Sequence, residues 1–327
     1  MNKNSSLRIQ LLRAIAIIAV VGIHSNKGYY DGIWIRPFLN FAVGSFLFLS
    51  GYLTKGGVSD IPRFYQKRLL RVFIPYCIWS VLYTFVYNSW GAFVRNFLTG
   101  NCCDIYYFVL VYMQMVILTP FLIRLIKSRY WILGFIPTAA FVIVRTLMNL
   151  RGTDLPYVYR MNFFYSWLSF FYLGLCHARR RIDIRRIPLK AYIVLWDIFM
   201  ALQILEGHFW FGSFGGHVSY DLAVSQQKAT AILSTLVLCC IFVYYIEWEK
   251  EPADNVLIRL LKRIGDVSFG IYLTHVMLLI ALNKWVYTLV PDIFPLNMIL
   301  TTSACALILW GVRLPIGEKL SSYLGIS

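Results

Sequence analysis

The stretch Arg13-Ala-Ile-Ala-Ile-Ile-Ala-Val-Val-Gly-Ile-His24 places two polar side chains in an apolar run of membrane-helix length. On a helix, eleven residues correspond to about 16 Å of rise and bring the two side chains within about 20° of one face. Ionisable groups at membrane depth cost about 2.5 kcal/mol or more and usually face a protein interior or a wet cavity. The pair is therefore a candidate functional site. The alternative is that Arg13 extends to the interface and His24 makes an interfacial hydrogen bond.

The composition of the 327-residue chain indicates a membrane protein. Hydrophobic residues make up 59% and charged residues only 14%, which leaves too little polar surface for a soluble chain of this length. The formal net charge of +16 comes from short basic clusters between apolar runs, as expected for segments that face an anionic leaflet. This pattern argues against nucleic-acid binding. The seven cysteines lack zinc-type spacing, so we expect neither a disulfide framework nor a metal site.

Apolar runs of about 17 to 23 residues recur along the chain and predict an all-α polytopic protein of about ten transmembrane helices. They cover residues 9–26, 37–54, 72–90, 104–124, 130–148, 162–178, 189–207, 228–247, 267–286 and 293–312. With ten spans, both termini lie on one side. That side receives 22 Lys and Arg residues and the other side 8, with Arg13 inside the first run. By the positive-inside rule both termini are predicted to be cytoplasmic. Residues 1–327 are predicted to form a single membrane domain.

Two further clusters lie at predicted cytoplasmic ends of helices. Arg68 and Arg71 are three residues apart at the start of the third run, where on a helix they form a potential clamp for phosphate. They are alternatively topology anchors without a ligand. Ser50-Gly51-Tyr52 closes the second run with a small pair that favours close packing of helices.

The start of the ninth run carries hydroxyl groups and a histidine on one predicted face. Ser268, Tyr272 and His275 are spaced i, i+4 and i+7, which is helical periodicity. Asp266 is positioned to cap this helix. An alternative role for His275 is a hydrogen bond to a neighbouring helix.

Glycines and aromatic residues fill the segment 207–221, which the predicted topology places outside. They favour a stacking platform for a sugar ring, with the candidate residues His208, Trp210, His217, Tyr220 and Asp221. The spacing His217-x-x-x-Asp221 is similar to a motif of soluble acyltransferases. Because the match is short and the fold context differs, we expect no catalytic role for that pair.

In order along the chain, these motifs resemble those of the bacterial acyltransferase 3 family of integral-membrane enzymes. The shared elements are Arg13 and His24 with ten residues between them, Ser50-Gly51-Tyr52, Lys67-Arg68-x-x-Arg71-x-x-Ile-Pro75 and Ser268-x-x-Ile-Tyr272-Leu-x-His275. The resemblance covers nearly the whole chain and implies the stand-alone form, without an added extracytoplasmic domain. Many members have an acidic residue three positions before the arginine and a glycine after it. This chain has Gln10 and Ala14 there, which removes a local salt bridge to Arg13.

The resemblance implies an O-acyltransferase of the bacterial inner membrane. Such enzymes move an acyl group, usually acetyl from acetyl-CoA, to a hydroxyl of a surface polysaccharide, peptidoglycan or lipid-linked saccharide. Acyl-CoA is then a donor substrate, and no bound cofactor is implied. The aromatic segment 207–221 would then bind the saccharide acceptor. Arg13, Arg68 and Arg71 would hold the CoA phosphates at the cytoplasmic face. His24 would be either a general base on the acceptor hydroxyl or a covalent acyl carrier, and an imidazole suits both roles.

A transporter or proton-coupled exchanger is the main alternative, because polar residues at membrane depth also occur in such proteins. The sequence lacks the internal repeat and the paired, interrupted helices that are typical of them. A sensor or assembly subunit without chemistry is a third alternative. Incorporation of labelled acyl-CoA into a membrane saccharide separates the enzyme from both.

Overall fold

The computed structural model describes residues 3–26, 28–55, 60–216, 218–286 and 292–326. It is all-helical, with 79% of residues in helices and no strand in the ranges just given. In chain order the α-helices of these ranges are α1 (Lys3–Ser25), α2 (Tyr29–Ile35), α3 (Phe41–Tyr52), α4 (Ile61–Val86), α5 (Phe93–Thr99), α6 (Tyr107–Lys127), α7 (Ile136–Leu150), α8 (Tyr157–Met161), α9 (Leu168–Ala178), α10 (Leu189–Phe211), α11 (Tyr220–Ala223), α12 (Ala229–Ile246), α13 (Val256–Asp266), α14 (Ser268–Trp285) and α15 (Leu296–Tyr323).

Seven helical segments within the described ranges are long and apolar enough to cross a membrane. They are Lys3–Ser25, Tyr29–Tyr52, Ile61–Val86, Trp90–Lys127, Trp131–Leu150, Ala229–Ile246 and Leu296–Pro315. An eighth is obtained if α13 and α14 are taken as one bent span. The predicted all-α polytopic fold is thus confirmed, whereas the count of ten is not. The run predicted over 162–178 becomes the 11-residue helix α9, and α10 carries Asp197 and Glu206 among its 23 residues.

The helices form two compact units, each with its own packing. The first comprises Met1–Lys55, Leu122–Leu155 and Tyr165–Asp266, and the second comprises Gly56–Phe121, Pro156–Phe164 and Val267–Ser327. In the first unit, α1 packs against α3, α12 and α13, while α3 packs on α9 and α10 packs on α12. The first unit therefore contains α1 and the helices that surround it.

Glycine allows α3 and α9 to approach closely in the first unit. A Cβ atom on Gly51 of α3 would lie 2.1 Å from the carbonyl oxygen of Phe171, and one on Gly174 of α9 would lie 2.2 Å from that of Phe48. Both distances are far shorter than a van der Waals contact, so only glycine permits this packing of α3 on α9. The structure thus supports the packing role predicted for the small pair in α3.

The second unit joins α4, α14 and α15 through tyrosine side chains that reach backbone groups. The hydroxyl of Tyr83, on α4, donates to the carbonyl of Leu273 at 3.1 Å and accepts from the backbone N–H of Met277 at 3.0 Å. The hydroxyl of Tyr65 donates to the carbonyl of Ile117 at 2.8 Å and links α4 to α6.

The segment between the predicted runs 228–247 and 267–286 contains the helix α13. Its Val256, Leu257 and Leu260 are exposed beside basic residues, a composition typical of helices that lie in a membrane interface. The predicted capping role of Asp266 is wrong. Asp266 ends α13, and the N-cap of α14 is Val267, which makes no side-chain hydrogen bond to the helix.

Candidate active site

Arg13 and His24 both lie on α1, which is helical without a break from Lys3 to Ser25. Arg13 is partly buried, and its Nη1 donates to Oε1 of Gln10 at 3.3 Å. The Gln10 amide thus accepts the hydrogen bond that an acidic side chain would accept at this position. His24 lies in the last turn with an exposed side chain. Ile17 and Val21, which share its face, are fully buried, so protein covers the stripe between the two polar groups.

Arg68 and Arg71 lie on α4, in the second unit. This helix begins where the Asp60 side chain accepts a hydrogen bond from the backbone N–H of Arg63 at 3.0 Å. Arg68 is partly buried, with its guanidinium 5.1 Å from the ring centroid of Phe64, and Arg71 is exposed. Neither forms an ion pair with a residue that the structure describes. No carboxylate therefore competes with an anionic ligand for their hydrogen-bond donors.

Tyr52, the last residue of α3, belongs to a polar cluster that the sequence did not predict. Its hydroxyl donates to Oε1 of Glu247 at 3.0 Å and accepts from Nζ of Lys55 at 3.1 Å. Its ring stacks on that of His177 with the centroids 5.9 Å apart. Nε2 of His177 lies 3.1 Å from the same carboxylate oxygen. The cluster joins the C-terminal ends of α3, α9 and α12.

Ser268, Tyr272 and His275 are all buried on α14, with relative exposures of 0%, 6% and 0%. The Tyr272 hydroxyl donates to the carbonyl of Ile105. Nδ1 of His275 lies 2.8 Å from the carbonyl oxygen of Tyr272 and 3.0 Å from that of Ile271. Contacts with backbone carbonyls support a structural role for this motif.

Aromatic side chains from α2, α10 and α11 meet at one end of the first unit. The ring centroids of Trp34 and His208 are 5.2 Å apart, and those of Tyr29 and Tyr220 are 5.6 Å apart. The Tyr29 hydroxyl donates to Oδ1 of Asp221 at 3.4 Å. Further ring contacts join Tyr30 to His208 and Phe211, Phe211 to Tyr220, and His208 to Phe214.

The residues predicted to bind the acceptor have different positions in the structure. His208 and Tyr220 belong to this aromatic group, and Asp221 accepts a hydrogen bond from one of its members, Tyr29. Trp210 is instead 1% exposed, and its Nε1 donates to Oε1 of Glu206 at 3.3 Å. His217 lies outside the described residues. Trp210 therefore supports the group from the protein interior.

Two buried cations hold the segment that follows α11. Nζ of Lys228 donates to the carbonyl oxygens of Gln203 at 2.9 Å and Ala223 at 2.7 Å. Burial lowers the pKa of Lys228 to about 8, because removing the ammonium from water disfavours its charged form. Nη1 of the buried Arg145 donates to Oγ of Ser225 at 3.1 Å. These contacts fix the backbone beside the aromatic group.

The sequence of the chain matches the acyltransferase domain of the acyltransferase 3 family over residues 6–311. This chain belongs to the acyltransferase 3 family. The predicted resemblance is confirmed, and together with the apolar helices it makes the chain a multi-pass membrane acyltransferase. No curated protein and no solved structure matches this family member.

In this acyltransferase the predicted site residues divide between the two units. Arg13 and His24 belong to the first, and the second contains Arg68, Arg71, Ser268, Tyr272 and His275. Sequence analysis missed Glu247 and His177, although each ends an apolar run on the predicted cytoplasmic side. It also missed the aromatic residues of α2. Three of them, Tyr29, Tyr30 and Trp34, occur within eight residues of the end of the first run, and this clustering could have indicated them.

Proposed function

We propose that this acyltransferase moves an acyl group, acetyl in the simplest case, from cytoplasmic acyl-CoA to a hydroxyl of a cell-surface polysaccharide, peptidoglycan or lipid-linked saccharide. The observation that carries the proposal is the placement of Arg13 and His24 on one helix with a covered stripe between them. A guanidinium near one end suits an anionic donor, and an imidazole at the other end exchanges protons near neutral pH. The pair thus suits transfer from one membrane face to the other.

His24 carries the chemistry in this proposal by one of two routes. As a general base, its neutral imidazole takes the proton of the acceptor hydroxyl while the hydroxyl oxygen attacks the thioester carbonyl. The carbon–sulfur bond then breaks, and CoA leaves as the thiol after receiving that proton. As a covalent carrier, the imidazole accepts the acyl group and releases CoA, and the acceptor hydroxyl then displaces the imidazole. Both routes yield one ester and one free CoA.

Donor binding is assigned to Arg68 and Arg71 of the second unit. Planar guanidinium groups bind phosphate oxygens through paired, charge-assisted hydrogen bonds. The absence of ion pairs from Arg68 and Arg71 to described residues supports this role. Acyl-CoA is a substrate here, bound only while it donates the acyl group.

Both termini are cytoplasmic in this proposal, and the protein lies in the bacterial plasma membrane. The distribution of 22 against 8 basic residues supports that orientation. Two of these 22 residues, Arg124 and Lys127, are in the last turn of α6, at the end that the orientation assigns to the cytoplasm.

Sealed membrane vesicles test the function and the orientation together. Inside-out vesicles expose the cytoplasmic face to added acyl-CoA, which does not cross the bilayer. We expect label from acetyl-CoA to reach a saccharide in inside-out vesicles directly, and in right-side-out vesicles only after permeabilisation. Transfer confined to intact right-side-out vesicles would reverse the orientation. The absence of any labelled saccharide in either preparation, with the protein present and folded, would contradict the proposed function.

A further inference from the structure

One end of the first unit exposes a group of aromatic rings that we call the aromatic platform. It comprises Tyr29, Tyr30, Trp34, His208, Phe211, Phe214 and Tyr220. Tyr30 is 55% exposed, Trp34 50% and Tyr220 49%, so about half of each ring surface is open. Because the rings contact one another at centroid distances of 5.2 to 6.4 Å, they form one continuous surface.

Two carboxylates lie on helices that carry these rings. Asp31, in the first turn of α2, and Asp221, in α11, are both exposed. Asp221 accepts a hydrogen bond from Tyr29, and an ionised carboxylate offers about four lone-pair sites in all. Aromatic faces beside a few polar acceptors suit a ligand that has an apolar face and several hydroxyl donors. A sugar ring has this combination, with C–H groups on its faces and hydroxyls at its edge.

The aromatic platform is held in place by backbone contacts. Arg36 donates to the carbonyl of Ile23, near the end of α1, at 2.5 Å and to that of Val224, after α11, at 3.5 Å. A Cβ on Gly32 would lie 2.8 Å from Cγ1 of Val224, so α2 and the segment after α11 are in direct contact. A surface fixed before binding loses less conformational entropy when the ligand arrives.

The short segment between His24 and Tyr29 keeps the aromatic platform close to His24. Tyr29 follows His24 by five residues, and five residues span about 18 Å at most. A sugar residue on the platform therefore lies within a few sugar lengths of the imidazole. An extended saccharide is the kind of acceptor that can contact both places at once.

A membrane-interface belt is the other common use of exposed tyrosine and tryptophan. Belt rings face lipid, where exposed carboxylates are costly. Asp221 accepts a hydrogen bond from one of these rings, Tyr29, and Asp31 is exposed on α2, the helix that carries three of them. This arrangement favours an aqueous ligand over lipid.

We propose that the aromatic platform binds the saccharide acceptor, with Tyr30 and Trp34 stacking on sugar rings and Asp221 accepting hydrogen bonds from sugar hydroxyls. The proposal rests on the proposed function, because it supplies the acceptor site for that reaction. It adds the residues of α2 to those predicted from the sequence and excludes the buried Trp210.

The test measures saccharide binding without any donor. The protein is placed in lipid nanodiscs. The probe is the oligosaccharide fraction that mild hydrolysis releases from the envelope of the cells that produce the protein. Binding is followed by saturation-transfer NMR. We expect Trp34→Ala to weaken binding about tenfold, because truncating a stacked aromatic removes a large contact. Trp34→Tyr should retain most of the affinity, which separates stacking from misfolding.

Trp90→Ala is the matched control, because Trp90, four residues after the end of α4, is 49% exposed and lies outside the platform. We expect its affinity to equal that of the parent. Undetectable binding by the folded parent, or equal affinities for Trp34→Ala and the parent, would overturn the proposal. Saccharide binding without transfer in the vesicle assay would refute the proposed function and leave the platform standing. If Trp34→Ala transfers the acyl group with an unchanged acceptor KM, the proposed function stands and the platform proposal is refuted.

Discussion

Arg68 and Arg71 are the residues whose role in donor binding can be tested one by one. Arg68 and Arg71 have no ion pair with any residue of the described ranges, and they are neighbours on α4. We therefore expect Arg68→Ala and Arg71→Ala each to weaken CoA binding about 10- to 100-fold, since a hydrogen bond to a charged group contributes about 1.5–3 kcal/mol. The measurement is a titration of CoA against the protein in nanodiscs.

Lys67→Ala is the control for this titration. It removes the same charge from an exposed position of α4, so a loss of general positive potential would affect it equally. We expect its CoA affinity to change much less than that of Arg71→Ala. Parent-like affinity in both arginine variants would remove the phosphate clamp from the mechanism.

Other basic residues have roles that their sequence positions did not reveal. Arg145 and Lys228 are two of the 8 basic residues counted on the side opposite the termini, yet their exposures are 2% and 1%. Arg145 makes two hydrogen bonds to Asp154, at 3.1 and 3.0 Å. Charge can be counted from sequence, but burial depends on which distant segments fold around the side chain. The sequence therefore gives the positive charge of these two residues but does not predict their structural role.

At the scale of helices, the contact between α3 and α9 depends on two glycines. We expect Gly51→Ala and Gly174→Ala each to destabilise the first unit by about 1–3 kcal/mol or more, because overpacking forces the backbones apart. A lower thermal unfolding midpoint of the protein in nanodiscs is the readout. Gly311→Ala on α15 is the control, since a Cβ there would meet nothing within 4 Å and alanine favours a helix by about 0.5–1 kcal/mol. An unchanged midpoint for both α3 and α9 variants would show that the helices are not held this closely.

The helix containing Gly51 was predictable, whereas its partner was not. The run over 37–54 has the length and hydropathy of a helix, and its small pair indicates a close neighbour. The neighbour, α9, is more than 100 residues away in the chain, and hydropathy carries no pairing information. The same limit applies to the cluster of Tyr52, His177 and Glu247, which forms only because three helix ends meet.

At the scale of the whole molecule, composition and motif order were enough to predict an all-helical membrane protein and its family. The number of spans was not predictable in the same way. Helix α9 is only 11 residues long, and the short helices α5 and α8 lie between the predicted runs. Hydropathy records how apolar a segment is, but the breaks depend on local turns and packing.

The central claim is that His24 performs acyl transfer, and His24→Gln tests it most directly. Glutamine keeps hydrogen-bond donor and acceptor capacity but cannot act as a base or acyl carrier near neutral pH. The measurement is transfer from labelled acetyl-CoA in inside-out vesicles, with expression, thermal stability and CoA affinity matched to the parent. We predict a fall in turnover of at least about 10²-fold, since general base catalysis contributes about 10² to 10⁴ in rate. Parent-like turnover in His24→Gln would contradict the account.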